Sequence, residues 1–458
     1  MKVLKYIVIM VLFTSASCDD SVSTAEGTPL AEVPFRALTA TELMDKAQEQ
    51  SIRYFWDYAN SNSKLAVERV HFDGTGYDQN LVTTGGAGMG LLNLLVASYR
   101  QIKPEAEVFA RLQTAVNFLE TADRFHGAWP HWMRGDNGDV VPFFEKDNGG
   151  DLVETAFLCQ ALICIREKYK NGTAAQQALA VKADNLWKGV EWNWYTDGQN
   201  VLHWHWSPQY GFEINHELHG YNEALITYVL AAASPTYPIT QAVYQNGWQR
   251  NGGIANSGSR YGLPVVVDHA GASGSVGSMF FSHYSFLCLD PSTLTDQYVN
   301  YDLATKNHAK IQQKYSIENP KGWGGYSDKV WGLTASESRT QSGGIGYFAH
   351  GLDNNDTGVI SPTAAISSLP YAYDESIKFL KYCYEDNPSK VVGICGPYDA
   401  FSIHYDWYIK RYLAIDVGPQ APMIENHRSS YIWNLFMNAP DVRNGLINLG
   451  FHSTKHEF

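Results

Sequence analysis

The chain alternates about twelve segments of helical hydrophobic period with long loops rich in glycine and aromatic residues, and strand-like alternation is scarce. Helices are predicted near residues 41–60, 87–101, 104–124, 151–169, 174–190, 221–233, 278–288, 295–316, 362–369, 372–385, 402–413 and 422–437. No βαβ rhythm and no short repeat accompany them, which points to one all-α domain, either a bundle of hairpins or an (α/α)6 toroid of six helical hairpins. A toroid gathers its loops at one end. The aromatic segments His126–Trp132, Glu191–Tyr195 and His203–Pro208 would then line a common cleft.

The composition suits such a domain. Of 458 residues, 45% are hydrophobic and 18% charged, enough for one large core or two moderate ones, a composition that disfavours disorder. The net charge of −13 leaves no basic stripe to follow a phosphate backbone, so nucleic acid is a poor partner and an uncharged substrate fits better. The 13 Trp and 28 Tyr suit either a large helical core or a groove that stacks on sugar rings.

The amino terminus is of another kind. Lys2 and Lys5, the apolar run Tyr6–Phe13 and the small residues before Cys18 are ordered as in an export signal, too short for a spanning helix. Small residues immediately before Cys18 resemble a bacterial lipoprotein cleavage site, which makes Cys18 the expected lipidation site; a simple cleaved signal is the alternative. Residues 1–18 are thus read as a signal, 19–36 as a flexible tether and 37–458 as the folded domain. The chain is expected to be exported, anchored by lipid at the periplasmic or outer face, with no other membrane contact. The remaining five cysteines are irregularly spaced and read as buried thiols.

The segment Asp147-Asn-Gly-Gly-Asp151-Leu-Val-Glu154 sets acids at offsets of four and three, which on a helix places Asp147, Asp151 and Glu154 along one face. Such like charges repel, so their clustering suggests function, although a solvated acidic helix start also fits. Glu223 begins another apolar helix, where the helix dipole alone favours an acid. Trp129, Trp132, Trp192, Trp204 and Trp206 are candidate ring platforms, with His131 and Tyr221 as hydroxyl partners and core packing as the alternative for each. Arg69, in the loop Glu68–Leu81, is placed to cap a terminal sugar.

Other patterns carry less. Gly85-Gly-Ala-Gly-Met-Gly90 follows no strand and lacks the Lys-Ser/Thr of a phosphate cradle, so tight helix packing is its reading. His216-Glu-Leu-His219 is one residue short of the zinc-protease spacing, and neither a metal nor an organic cofactor is expected.

Several segments together resemble glycoside hydrolase family 144, the β-1,2-glucan-cleaving enzymes often labelled glucoamylase-like. They include Ala128-Trp-Pro-His-Trp132, Asp147–Phe157, Val190–Tyr195, His203–Pro208, Gly220-Tyr-Asn-Glu-Ala-Leu225, His283–Phe286, Trp331–Ala335, Ile360–Ala365, Tyr412–Pro419 and Met423–Asn426, in order across residues 45–450. The resemblance implies a toroid of six helical hairpins and an inverting hydrolysis. It also implies functional roles for Asp147, Asp151, Glu154 and Glu223, which match the family's acidic motifs.

An inverting glycosidase needs a protonated acid for the leaving oxygen and a carboxylate that activates water. Repulsion within the acidic trio keeps a proton available, and Glu223 is expected to face the trio across the cleft. The family's activities include endo cleavage of the polymer and release of sophorose from the non-reducing end of β-1,2-gluco-oligosaccharides. The long loop His71–Asp78 favours the second, by closing one end of the groove. Competing readings are an α-glucan hydrolase of glucoamylase type, a toroidal polysaccharide lyase, which the acidic net charge disfavours, and a non-catalytic glycan-binding lipoprotein.

Overall fold

The computed structural model describes residues 37–340 and 342–458, so the signal segment, Cys18 and the tether lie outside the described residues. Residues 38–458 make one unit. In chain order its α-helices are α1 (Ala40–Asp57), α2 (Thr84–Tyr99), α3 (Glu105–Leu119), α4 (Leu152–Tyr169), α5 (Ala174–Lys188), α6 (Leu225–Ala233), α7 (Gln241–Asn246), α8 (Tyr301–Glu318), α9 (Pro362–Ile366), α10 (Tyr373–Lys381), α11 (Pro388–Val391), α12 (Ala414–Val417), α13 (Gln420–Ser429), α14 (Tyr431–Met437) and α15 (Pro440–Leu449).

Two kinds of helix build the toroid. α2 and α6 are apolar on nearly every side, and with α4 they bury almost all their residues. Helices of that kind need neighbours all round, and α4 packs against both α2 and α6. α3 instead buries one stripe, Val108, Leu112, Ala115, Val116 and Leu119, and α5 buries Leu179, Ala180, Ala183, Leu186 and Trp187. These amphipathic helices back the inner ones, α3 against α2 and α5, and α5 against α4. The inner and outer rings of the (α/α)6 toroid follow from that difference in patterning.

The glycines of α2 set how closely the inner helices approach. A Cβ on Gly88 would lie 2.6 Å from Leu158 Cα and 2.7 Å from the Phe157 carbonyl carbon, and backbone atoms cannot swing aside. The Gly85–Gly90 segment is therefore a packing surface.

Several boundaries differ from the sequence expectation. Residues 402–413 are no helix: Phe401–Ser402 pairs with Trp407–Tyr408 around Asp406 at φ 46°, and Arg411–Leu413 pairs with Arg69–His71. The aromatic and β-branched residues there favour extended chain. The segment 278–288 forms two short 3-10 turns, and Ser430 at φ 57° divides 422–437 into α13 and α14. α7, α11, α12 and α15 lie outside the segments expected to be helical. Small two- and three-stranded sheets decorate the loops, so all-α describes the core and not every residue. Among the described residues no helix is long and apolar enough to cross a membrane.

Gly88→Ala is expected to lower stability by about 2 kcal/mol through overpacking, read as a reduced urea midpoint with unchanged m-value; an unchanged midpoint would mean that the α2–α4 contact has room to give.

Candidate active site

The three acids of the central motif meet in space, but not along one helix face. Asp147 lies in a turn, Gly150–Asp151 is a short strand paired with His205–Trp206, and only Glu154 is helical. Asp151 is the N-cap of α4, accepting from Val153 N–H at 3.0 Å and Glu154 N–H at 2.9 Å. Capping requires an extended backbone and a short acceptor side chain, which Asp supplies.

Two histidines serve these acids. His131 Nδ1 lies 2.9 Å from Asp151 Oδ2, and His205 Nε2 lies 3.3 Å from Asp147 Oδ2. Burial opposes a charge on His131, but Glu154, Asp151 and Asp147 outweigh it and push its pKa up to about 9. Burial likewise opposes the Asp151 carboxylate, yet the bond from His131 and the nearby His205 bring its pKa below the usual range. The pair is an imidazolium–carboxylate at neutral pH. His131 Nδ1 and oxygens of Asp147 and Asp151 lie within 4.8 Å of one another, a spacing that a cation could use. The protonated His131 already supplies a positive charge there.

Glu154 and Glu223 are different. Glu154 Oε2 accepts from Gly85 N–H at 2.6 Å, in the first turn of α2. A Cβ on Gly85 would lie 2.5 Å from that oxygen, so glycine is what admits the carboxylate. Burial, with Asp151 and Asp147 adding to it, raises the Glu154 pKa to about 7 against the opposing pull of His131 and the Gly85 N–H. Glu223 precedes α6, its carbonyl accepting from Ser285 Oγ. Burial raises its pKa to about 7 as well, and Glu154 and Asp151 add to the shift. Glu223 therefore senses the charge of Glu154.

A cavity of about 400 Å³ opens beside Glu154, lined also by His131, Trp132, Phe143, Tyr284 and Tyr347. Phe143 stacks on the His131 ring with centroids 4.1 Å apart. Arg69 lines the same cavity, but it is engaged by Glu68 and by Glu337 at 2.9 Å. Behind Tyr284 and Tyr347 stands an acid group that the sequence reading missed. Tyr347 Oη donates to Asp416 at 3.2 Å, Glu337 N–H donates to Asp399 at 2.7 Å, and Asp399 and Asp416 hydrogen-bond each other. Burial, helped by Glu337, raises Asp399 to about 7, and burial with Asp399 holds Asp416 well above the carboxylate range. Asp416 sits inside the quoted Tyr412–Pro419 segment, which was the available signal.

Three aromatic assignments are corrected. Trp129, Trp192 and Tyr221 are fully buried. Trp129 Nε1 donates to the Leu119 carbonyl, and Tyr221 Oη bonds Ser282 Oγ at 2.8 Å, so neither ring nor hydroxyl is free for a sugar. Trp132 does line the cavity. Trp204 is partly exposed and stacks on His205 and His216. Trp206 is partly exposed too, packed edge-on against Trp194 and His126. Trp194, 43% exposed, was not among the candidates.

Comparison with known proteins matches this geometry to a family. A family profile described as "Putative glucoamylase" matches residues 215–440. An endo-β-1,2-glucanase from Chitinophaga pinensis, solved with sophorotriose and glucose, is 48% identical, superposes with a TM-score of 0.88 and is covered over 99% of its chain by 91% of this one. The chain belongs to glycoside hydrolase family 144. A Bacteroides fragilis structure described as a "putative glucoamylase" is also 48% identical at a TM-score of 0.88, covering 92% of this family 144 chain and 99% of that one. An exo β-1,2-glucooligosaccharide sophorohydrolase of Parabacteroides distasonis is 38% identical over 430 residues. The match takes in 89% of this chain and 58% of that relative's length.

The His131–Asp151 pair gives a signed pH prediction. Because the His131 pKa is raised, its contribution to stability is complete below the unfolded value near 6.5 and is lost as pH rises through about 9. His131→Gln should cost about 3 kcal/mol at pH 7 and much less at pH 10, measured by urea unfolding. A cost independent of pH would contradict the ion pair.

Proposed function

We propose that this family 144 chain hydrolyses β-1,2-glucosidic bonds of β-1,2-glucan or its oligosaccharides with inversion. The observation that carries the reading is two carboxyls raised to about 7, Glu154 on the wall of an aromatic-lined cavity and Glu223 just before α6, with the charge of Glu154 adding to the shift of Glu223. Such a pair splits its roles by environment. Glu154 accepts the Gly85 N–H at a helix N-terminus and lies near the His131 imidazolium, both of which favour its charged form. At Glu223 only its own backbone N–H favours the charged form against burial, Glu154 and Asp151, and we assign the proton to it. Glu223 is accordingly the acid that protonates the leaving oxygen, and Glu154 belongs to the side that activates water. Because the acid must be protonated, activity should fall as pH rises through about 7.

The exo mode, release of sophorose from a non-reducing end, is supported by the loop after Arg69. It is fastened to the paired strand Arg411–Leu413 by Arg411 to Asp73 at 2.6 Å and to Thr75 at 3.2 Å, and internally by His71 to Thr75 at 2.8 Å. A fixed loop beside Arg69 suits a blocked groove end. The endo mode is favoured by a different observation, the 48% identity to an endo enzyme matched over 99% of its solved chain. The lipoprotein reading, with Cys18 lipidated and the chain exported to the periplasm or cell surface, rests on the order Lys2, Lys5, Tyr6–Phe13 and Cys18. Palmitate labelling that vanishes in Cys18→Ser is its expected outcome, and label persisting in that variant would reject it.

Glu223→Gln should lower kcat on β-1,2-gluco-oligosaccharides by about a thousandfold while sparing turnover of an aryl β-sophoroside whose leaving group needs no proton. Glu154→Gln should impair both. NMR of the first wild-type product should show the α-anomer, and chromatography should show sophorose alone for the exo mode or a ladder for the endo mode. Full activity of Glu223→Gln, or a β-anomer, would overturn the assignment.

A further inference from the structure

A second aromatic surface lies in the loops between α5 and α6. The Trp194 indole is covered on one face by the His126 imidazole, with centroids 3.7 Å apart and planes 11° from parallel. Trp206 meets it edge-on at 6.2 Å. His126 is fixed in turn by Glu191, whose carboxylate lies 2.9 Å from Nδ1. The ring is thus braced from behind while 43% of Trp194 stays exposed. It opens on a groove of about 470 Å³ lined also by Glu191, Asn193, Asp197, Phe212 and Tyr237.

This groove is separate from the catalytic cavity, and none of the residues lining one lines the other. The strand His205–Trp206 runs between the buried acids and this aromatic stack. Successive strand side chains point to opposite faces, so His205 meets Asp147 while Trp206 packs with Trp194 and His126.

We propose that this groove is a secondary glucan-binding site, holding a stretch of neutral polymer outside the cleft. The proposal rests on the functional reading above. A braced, exposed indole presents a flat apolar face to the C–H side of a pyranose with little ordering cost, and Phe212 and Tyr237 extend the apolar floor. Asn193, Glu191 and Asp197 supply hydroxyl partners at the rim, and the two carboxylates disfavour acidic glycans. A ring needed only for core packing would have been buried, as Trp192 two residues earlier is.

The test uses the full mature chain carrying Glu223→Gln, with and without Trp194→Ala, in affinity electrophoresis through gels containing β-1,2-glucan. Loss of one stacked ring should weaken retention about fivefold to tenfold, and Trp194→Phe should restore part of it. In the otherwise native chain, Trp194→Ala should leave kcat/KM for a short β-1,2-gluco-oligosaccharide within about twofold, as one stacking contact outside the cleft implies. Equal retention with a native circular dichroism spectrum would overturn the site. So would an equal loss on polymer and oligosaccharide, which would place Trp194 in the cleft. Should β-1,2-glucan not retain the parent chain, gels of α-1,4- and β-1,3-glucan separate the two readings. Retention there that Trp194→Ala removes supports the groove while the β-1,2 reading falls; retention unaffected by the substitution, or none on any glucan, overturns the groove.

Discussion

The hydrogen bond from Gly85 N–H to the Glu154 carboxylate ties the packing of the toroid to its chemistry. It needs α2 and α4 in close contact, and therefore glycines where any Cβ would strike Glu154 or the α4 backbone. It needs the first turn of α2 aimed at an acid, because only there are backbone N–H groups left over. With Asp151 capping α4 and His131 neutralising it, that buried acid is held without being solvated. A carboxylate left unpaired at that depth would be strongly destabilising.

That arrangement also divides the protons. Burial raises both Glu154 and Glu223 to about 7; backbone and imidazolium donors oppose the shift at Glu154, whereas the charge of Glu154 adds to it at Glu223. A similar asymmetry recurs in the Asp399–Asp416 pair behind Tyr284 and Tyr347, where two hydrogen-bonded carboxyls are held well above their usual range. The cavity is bordered by acids on more than one side, so the proton inventory of the cleft belongs to the network and not to any single residue.

Periodicity made most of the helices legible; their division into inner and outer rings follows from patterning that the structure explains, α2 and α6 being apolar all round whereas α3 and α5 are striped. The acidic motif was legible as a cluster but not in its geometry. Gly149 and Gly150 allow the chain to stay extended up to Asp151, so spacing that resembles a helix face is instead a turn, a cap and a first helical turn. Aromatic residues were harder, since Trp192 and Trp194 look alike in sequence while one is core and the other surface. Glu337 and Asp399 are 62 residues apart, and no local pattern announces their contact. The extended segment 402–413 was hidden because its hydrophobic residues also fit a helical period.

The most direct test of the proton division is a 13C NMR titration of the Glu223 side-chain carboxyl in the wild-type chain and in Glu154→Gln. The account predicts a Glu223 pKa near 7 that falls when the neighbouring charge is removed. A carboxyl titrating near its ordinary value in the wild type, or one unmoved by Glu154→Gln, would contradict it.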